Sequence, residues 1–287
     1  MRLQLPERVL DFPRRPLVMG IVNVNDDSFS GDGSLAADDA IATARAQAAA
    51  GADVIDVGAE SARTNRMAIP VEEEIRRFRS VLERWGEVSG GITPRDGAQV
   101  WPPVLSANTW RANVVRGVLE MGGVELINDM GALPDNRNAR LCADAGTALL
   151  VMHSVGEPKV PHFDQRWPDV VAELERFFAG KIRMAMDAGL SADAIVLDPG
   201  IDFAKQRAEN LTVYQNLGRL AAFGRPLLVP ASRKTVIGEV LGLPDPRDRD
   251  AGTIACVAAA MARGGAIFRV HEVDAAWQAI KVLDALG

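Results

Sequence analysis

Short continuous apolar runs alternate along the chain with longer stretches in which apolar residues recur every three or four positions. Such a run is typical of a strand buried on both faces, and the longer period is typical of an amphipathic helix. The clearest helix is expected over residues 70–85, where Ile75, Phe78 and Leu82 share one face and glutamates fill the first turn. The apolar runs cover residues 17–22, 53–57, 104–107, 124–127, 148–152, 194–197, 226–230 and 266–270.

Helical periodicity follows most of these runs, and this alternation predicts a parallel sheet. Eight units in a chain of 287 residues fit an α/β fold with a single (β/α)8 TIM barrel, so we predict one domain over residues 1–287. A doubly wound sheet is the alternative, but residues 22–29 lack its glycine fingerprint. Residues 87–102 are expected to be an insertion before the third strand. Further helices are predicted over residues 111–122, 168–189, 209–223, 251–264 and 273–286.

Composition narrows the range of partners and compartments. The net charge of −6 argues against a nucleic-acid surface. No apolar run is long enough to span a bilayer, and residues 1–15 do not have the pattern of a signal peptide. Cys142 and Cys256 are far apart in helical segments, which predicts buried free thiols. We therefore expect a cytoplasmic protein that binds neither nucleic acid nor membrane.

Most of the predicted strands end in a polar residue. Asp198 is typical, because the apolar residues 195–197 lead directly into Asp198-Pro199-Gly200, where proline and glycine end the strand. A helix cap or a partner for an arginine is the alternative role for this carboxylate. In a barrel these strand ends meet at one rim, where active sites lie. The polar ends are Asn23, Asp56, Asn108, Asn128, His153, Asp198, the triplet Ser232-Arg233-Lys234, Arg269 and His271.

One part of this rim suits a flat heterocycle. Asn108 and Asn128 can each donate and accept, and an ionised Asp198 offers two acceptor oxygens to neighbouring N–H groups. Random strand ends would carry some polar residues, but this set is more complementary than chance would give.

The opposite part of the rim suits a phosphate group. Lys234, Arg269 and His271 follow the seventh and eighth strands, where barrels of this class usually bind phosphate. Asn23 could add an amide, or act as a metal ligand for a hard cation carried by a polyphosphate. A surface ion pair is the alternative for Arg269 taken alone.

The same segments resemble the dihydropteroate synthase family, and the resemblance runs nearly end to end. Residues 19–33, MGIVNVNDDSFSGDG, are similar to the motif M-G-I-x-N-x-T-P-D-S-F-S-D-G-G. Residues 51–65, GADVIDVGAESARTN, are similar to G-A-D-x-I-D-x-G-G-E-S-T-R-P-G. The segments LINDM, LDPGIDFAK, SRKTVIG and FRVHEV match later motifs in the same order.

This resemblance implies an enzyme of folate biosynthesis that is a sulfonamide target. Such a transferase joins a dihydropterin methyl pyrophosphate to p-aminobenzoate and releases pyrophosphate, with Mg²⁺ as its cofactor. Because the amine attacks an already electrophilic carbon, no protein nucleophile is expected. The expected partners are these small-molecule substrates and, as in relatives, a second copy of the chain in a homodimer.

Matching the motifs position by position implies a role for each site residue. The catalytic residues would be Lys234, Arg269, His271 and Arg63. The pterin would be held by Asn108, Asn128, Asp198, Lys234 and Arg269. Pyrophosphate would contact Asn23, Ala62, Arg63, Arg269 and His271, with Asn23 also touching the metal. The p-aminobenzoate pocket would include Arg63, Thr64, Ser232 and Lys234.

The chain departs from the family pattern at several of these positions. Asn108 replaces the aspartate of S-x-D-T, which removes a negative charge near the pterin. Ala62 lacks the usual hydroxyl, and Thr64-Asn65 replaces Pro-Gly. Asn25-Asp26 replaces Thr-Pro, and Val236 stands where an aromatic residue is frequent. These changes predict a divergent p-aminobenzoate pocket.

Three functions remain open on the sequence. The first is an active synthase with an altered p-aminobenzoate pocket. The second is a paralogue that binds a pterin but turns it over poorly. The third is a pterin-dependent methyltransferase, which would not need both the S-R-K and the R-x-H segments for pyrophosphate.

Overall fold

A closed sheet of eight parallel strands forms the centre of the computed structural model, which describes residues 1–25, 36–61 and 67–287. A short antiparallel hairpin, β1 (Arg2–Gln4) and β2 (Val9–Asp11), precedes it. The eight parallel strands are β3 (Leu17–Asn23), β4 (Val54–Gly58), β5 (Val104–Asn108), β6 (Leu126–Asp129), β7 (Ala148–Met152), β8 (Ile195–Asp198), β9 (Leu228–Val229) and β10 (Ile267–Val270).

The strand order confirms the predicted TIM barrel. The order is β8-β7-β6-β5-β4-β3-β10-β9, so each strand lies beside its predecessor along the chain, and β10 returns to pair with β3. A parallel bridge between Leu197 and Leu227 closes the gap between β8 and the segment leading into β9. The doubly wound alternative is wrong, because such a sheet would keep two open edges.

Helices surround the barrel and mostly follow the predicted stretches. The helix predicted over residues 70–85 ends earlier and is followed by a separate turn of helix, and the one predicted over residues 209–223 is divided at Asn216. The helices are α1 (Ala37–Ala49), α2 (Val71–Leu82), α3 (Gly86–Ser89), α4 (Ala112–Met121), α5 (Arg137–Ala145), α6 (Val170–Asp187), α7 (Arg207–Gln215), α8 (Leu217–Ala221), α9 (Thr235–Leu241), α10 (Asp250–Met261) and α11 (Val273–Leu286).

The predicted insertion contacts the amino end of the barrel. After α3, residues 90–103 form neither helix nor strand. The buried Gln99 side chain donates to the carbonyls of Ala48 and Ala52, at 2.9 Å each. Asp53 accepts the Val100 amide at 2.9 Å and is paired with Arg15 at 2.9 and 3.0 Å. These contacts attach the insertion to the segment before β4, at the end of the barrel that lies away from the polar strand ends.

The two cysteines are free thiols. Cys142 is fully buried, and burial raises the pKa of its thiol. Cys256 is partly buried, so the prediction of burial holds for it only in part. Among the helices of the described ranges, none combines the length and the apolar character needed to cross a membrane.

The start of α6 offers a test of local stability. Asp169 caps this helix, since its side chain accepts the amides of Val171 at 3.0 Å and Ala172 at 2.9 Å. Asp169→Ala should lower the free energy of unfolding in urea by about 1 kcal/mol, the usual cost of losing an N-cap. Arg183→Ala, an exposed change on the same helix, is the control and should stay within about 0.5 kcal/mol of wild type. An equal effect of both changes would contradict the capping role.

Candidate functional site at the carboxyl ends of the strands

A cavity of about 950 Å³ opens at the carboxyl ends of the strands. The structure places eight of the predicted site residues around it, on strands or loops from both halves of the chain. Their proposed roles stay predictions, but their convergence is a property of the fold. These eight are Asn23, Asn108, Asn128, Asp198, Ser232, Lys234, Arg269 and His271. Three further predicted site residues, Ala62, Arg63 and Thr64, lie outside the described residues.

Asp56 connects the two chemical halves of this cavity. It is fully buried and accepts the Nε of Arg269 at 2.8 Å. The same oxygen, Oδ2, accepts the side-chain amides of Asn108 at 3.1 Å and Asn128 at 3.0 Å. Its second oxygen accepts the Ser106 hydroxyl at 2.6 Å. A buried carboxylate that accepts this many hydrogen bonds fixes the side chains around it.

The register of the sheet explains this convergence. Asp56 on β4 lies opposite Ser106 on β5, and Asn108 lies opposite Asn128 on β6. Residues two apart on a strand share a face, so Ser106 and Asn108 both point into the barrel beside Asp56. Because their nitrogens donate to Asp56, the two amides keep their carbonyl oxygens as acceptors for a ligand.

Asp198 is the predicted heterocycle acceptor, and it is almost completely buried at the end of β8. Its Oδ1 accepts the Gly200 amide at 2.7 Å. Burial raises the pKa of Asp198 to about 6, although the Gly200 amide and the charges of Lys234, Lys205 and Arg269 oppose this. The carboxylate is therefore ionised at neutral pH and poorly solvated, a state that favours ligand N–H groups as partners.

The loop after β8 packs closely against the end of β7. A Cβ atom at Gly200, where φ is +64°, would lie 1.9 Å from the carbonyl oxygen of His153, so only glycine fits. Lys205 donates to the carbonyls of Gly200 at 3.0 Å and Phe203 at 3.1 Å. Its Nζ also lies 2.8 Å from Nδ1 of His153. Lys205 thus fixes the conformation of the loop that follows Asp198.

His153 is a structural residue beneath the site. It is 1% exposed and does not line the cavity. Burial, together with the neighbouring Lys205, lowers the pKa of His153 to about 2, so the imidazole is neutral. Burial also lowers the pKa of Lys205 to about 7. His153 is therefore a polar strand end that supports the site from beneath and does not line the cavity.

Ser232 and His271 form a pair on the phosphate side. The Ser232 hydroxyl lies 2.7 Å from Nδ1 of His271 and accepts the backbone amide of the same residue at 3.2 Å. Because Oγ accepts from the backbone, its proton can be donated to Nδ1. In the tautomer that accepts this proton at Nδ1, Nε2 carries the imidazole proton and makes His271 a donor suited to an anion.

Glu60 joins the loops that follow β4 and β7. Its Oε1 accepts Lys159 Nζ at 3.1 Å and the Ile69 amide at 3.0 Å. Oε2 lies 2.9 Å from the guanidinium of Arg111. Lys159 also donates to the Ser61 carbonyl at 2.9 Å. Glu60 and Lys159 therefore fix the chain on both sides of residues 62–66, which lie outside the described residues.

The donor set near Asn23 bears on the predicted magnesium ion. No three His, Cys, Asp or Glu side chains of residues 1–25, 36–61 and 67–287 come close enough together to hold a metal. Mg²⁺ is commonly bound through one or two protein oxygens together with substrate phosphates. Asn23 lies on the cavity wall and carries an amide oxygen of the required kind. The residues fit a metal that arrives with a polyphosphate and do not fit an all-protein metal site.

Several residues that build the site received no role from the sequence. Asp56 was recognised only as a polar strand end, although an aspartate inside an apolar run is an available signal for a buried charge. Glu60 and Lys205 lie within the matched motifs, but their partners are distant in sequence. Asp202 also lies within a matched motif, but no local pattern indicates its contact with α9.

Comparisons with known proteins agree with this geometry. The family model described as pterin binding enzyme matches residues 19–271. Dihydropteroate synthase of Neisseria meningitidis serogroup C is 38% identical over 277 residues, which cover 95% of this chain and 93% of the relative.

Solved structures give the same result. The Yersinia pestis dihydropteroate synthase, solved with a sulfonamide drug complex, superposes with a TM-score of 0.87 at 32% identity, covering 100% of this chain and 98% of that one. The Xanthomonas albilineans enzyme, solved in complex with 7,8-dihydropteroate, gives a TM-score of 0.83 at 35% identity, with 100% and 98% coverage. The chain therefore belongs to the dihydropteroate synthases of the pterin-binding enzyme family.

Proposed function

We propose that this transferase condenses 6-hydroxymethyl-7,8-dihydropterin pyrophosphate with p-aminobenzoate to give dihydropteroate and pyrophosphate. The observation that carries the proposal is the single cavity lined by Asp198, Asn108 and Asn128 together with Lys234, Arg269 and His271. Such a cavity offers acceptors for a flat ring and donors for a diphosphate. The X. albilineans relative was solved with 7,8-dihydropteroate, the product of this reaction.

The pterin would bind on the side of Asp198. Its carboxylate accepts the adjacent ring N–H and 2-amino groups, because an ionised carboxylate provides two oxygens in one plane. The carbonyl oxygens of Asn108 and Asn128 add acceptors, since Asp56 takes their nitrogens. The acceptors also favour the positive charge that develops on the pterin as its methylene group loses the diphosphate.

The diphosphate would bind between β3 and β10. Arg269 is fixed by Asp56 through Nε, so its terminal nitrogens can contact the anion. His271 would add its Nε2 proton in the tautomer that accepts the Ser232 hydroxyl at Nδ1. These donors stabilise the negative charge that grows on the departing diphosphate. Mg²⁺, held by the phosphates and Asn23, would supply further charge neutralisation.

The p-aminobenzoate pocket is proposed to differ from that of typical relatives. Its sequence departures fall in residues 25–26 and 62–65, and the second segment directly follows Ser61, whose carbonyl accepts from Lys159. The amine of p-aminobenzoate attacks the methylene carbon directly and does not require a protein nucleophile. We propose that Arg63, Thr64, Ser232 and Lys234 contribute to this pocket. We further propose that the protein acts as a cytoplasmic homodimer.

A pyrophosphate-release assay tests the function. Purified protein given the pterin pyrophosphate, p-aminobenzoate and Mg²⁺ should release pyrophosphate and form dihydropteroate in equal amounts. Omission of either organic substrate is the control. Absence of product above background would refute the proposal.

A divergent p-aminobenzoate pocket should also weaken inhibition by sulfonamides. The measurement compares this protein side by side with the Yersinia pestis enzyme, and equal inhibition of the two would contradict the divergence.

A pterin-binding paralogue is the second candidate, and Asn108 is the observation that favours it. Its neutral amide donates to Asp56 where the family pattern has a carboxylate. Calorimetry that shows tight pterin binding beside negligible turnover would support this candidate. Turnover gained by Asn108→Asp in such a protein would identify the missing charge as the cause.

A further inference from the structure

The loop between β8 and α7 contains three residues in left-handed backbone conformations. The φ angles are +64° at Gly200, +69° at Asp202 and +49° at Ala204. Glycine adopts this conformation readily, and aspartate adopts it when its side chain finds hydrogen-bond partners nearby. The hydrogen bonds of Asp202 are therefore expected to stabilise this turn.

Asp202 connects its loop to two helices. Its Oδ2 accepts the Thr235 amide at 2.5 Å, and its Oδ1 accepts the Val236 amide at 3.3 Å. These are the first two residues of α9. Asn210 on α7 donates to Oδ1 at 3.2 Å and accepts the Asp202 amide at 2.9 Å. The carboxylate thus joins the loop after β8 to the start of α9.

Lys234 immediately precedes these two amides and is held by the same loop at its other end. Its Nζ donates to the carbonyl of Ile201 at 2.9 Å, one residue before Asp202. The ammonium also lies 5.2 Å from the centre of the Phe203 ring. The head group of Lys234 and the backbone amides of the two residues after it are therefore all held by residues 201–203.

Charged groups from several elements face Lys234. Asp198 approaches from β8, Asp202 and Lys205 from the following loop, and Arg269 from β10. Burial lowers the pKa of Lys234, and Arg269 lowers it further. Asp202 is the largest opposing influence, ahead of Asp198. Loss of the Asp202 charge should therefore reduce the pH range in which Lys234 carries its proton.

We propose that Asp202 is a positioning residue for the reaction: its carboxylate fixes the start of α9 and so holds Lys234 against the pterin side of the cavity. The inference rests on the proposed function, in which Lys234 contacts the substrates. It adds a residue that does not itself need to touch them.

The test compares Asp202→Asn with Ala204→Gly in the full-length enzyme. Asp202→Asn should lower kcat about tenfold, the size expected for loss of charge-assisted hydrogen bonds. It should also move the alkaline limb of the kcat/KM profile to lower pH, because Lys234 then loses its proton more readily. Ala204→Gly relaxes a left-handed residue of the same loop, and it should leave both kcat and the alkaline limb within experimental error.

A second variant separates geometry from charge. Asp202→Glu should keep the alkaline limb at its wild-type pH while lowering kcat, because the longer side chain retains the charge but not the geometry. An unchanged alkaline limb in Asp202→Asn, with any loss of kcat explained by the folded fraction seen in circular dichroism, would overturn the proposal.

A separate readout does not depend on turnover. NMR of ¹⁵N-lysine-labelled protein, with Lys234→Arg to assign the signal, follows the titration of Lys234 directly. If the wild-type protein makes no dihydropteroate, the proposed function is wrong. A lower midpoint for Lys234 in Asp202→Asn would still support its control by Asp202, and an unchanged midpoint would refute it.

Discussion

Asp198→Asn should reduce kcat/KM for the pterin pyrophosphate by roughly 10²–10³-fold, the size seen when one oriented polar group is removed from a catalytic site. Asparagine keeps one acceptor oxygen but presents an N–H group where the pterin also has one. In the wild-type enzyme, pterin affinity should fall below about pH 6, because burial raises the pKa of Asp198 to about 6 and only the ionised form accepts both ligand protons. Steady-state kinetics measures the loss of kcat/KM, and isothermal calorimetry across pH 5–8 measures the change in affinity.

The same substitution should have the opposite effect on stability. A carboxyl whose folded pKa is raised contributes stability that is complete below its unfolded pKa near 4 and is lost as the pH rises through about 6. At pH 8, the free energy of unfolding of Asp198→Asn, measured in urea, should therefore exceed that of wild type by roughly 1–3 kcal/mol. At pH 4 this advantage should disappear.

Asp129→Asn provides the matched control for Asp198→Asn. Asp129 is also fully buried, burial also raises its pKa to about 6, and its partners are the Gly131 amide and Asn138. It lies outside the lining of the cavity. Asp129→Asn should affect stability with the same sign while kcat/KM stays near wild type. A comparable loss of kcat/KM in both variants would show that Asp198 acts only through the fold.

Asp56→Asn should have the second large effect, although Asp56 was given no role in the family comparison of motifs. Removal of its charge leaves Arg269 without its buried counterion and weakens the contacts to both asparagines. We expect kcat/KM to fall roughly 10²–10³-fold and the free energy of unfolding to fall by roughly 3–5 kcal/mol. Steady-state kinetics and urea denaturation at pH 7.5 check these values.

Asp11→Asn is the control for charge removal from an arginine pair. Asp11 pairs with Arg2 at 2.9 Å, but both side chains are mostly exposed. Exposed pairs contribute little, so this variant should change the free energy of unfolding by about 0.5 kcal/mol or less. Wild-type kcat/KM in Asp56→Asn would show that Arg269 holds its position without the carboxylate.

The barrel could be predicted because each of its eight strands is buried on both faces and each long helix has one apolar face. These local patterns survive folding unchanged, as the match of residues 148–152 to β7 shows. The hairpin of β1 and β2 could not be predicted, because three-residue strands have too short a pattern. The break at Asn216 was missed because the apolar period continues across it.

The candidate site was predictable for a different reason. A parallel barrel brings all carboxyl ends of its strands to one rim, so polar strand ends identify the rim without any distance information. The network behind it was not predictable. Asp56 reaches Arg269 across 213 positions of sequence, and Asp202 reaches Thr235 across 33. Such pairings depend on which side chains face each other once the sheet has closed.

The contact between Gly200 and the His153 carbonyl also limits how the enzyme can evolve. Two main chains touch there, and no side-chain replacement at position 200 fits the space. Substitutions that alter the enzyme without disturbing its fold must therefore arise at positions other than 200.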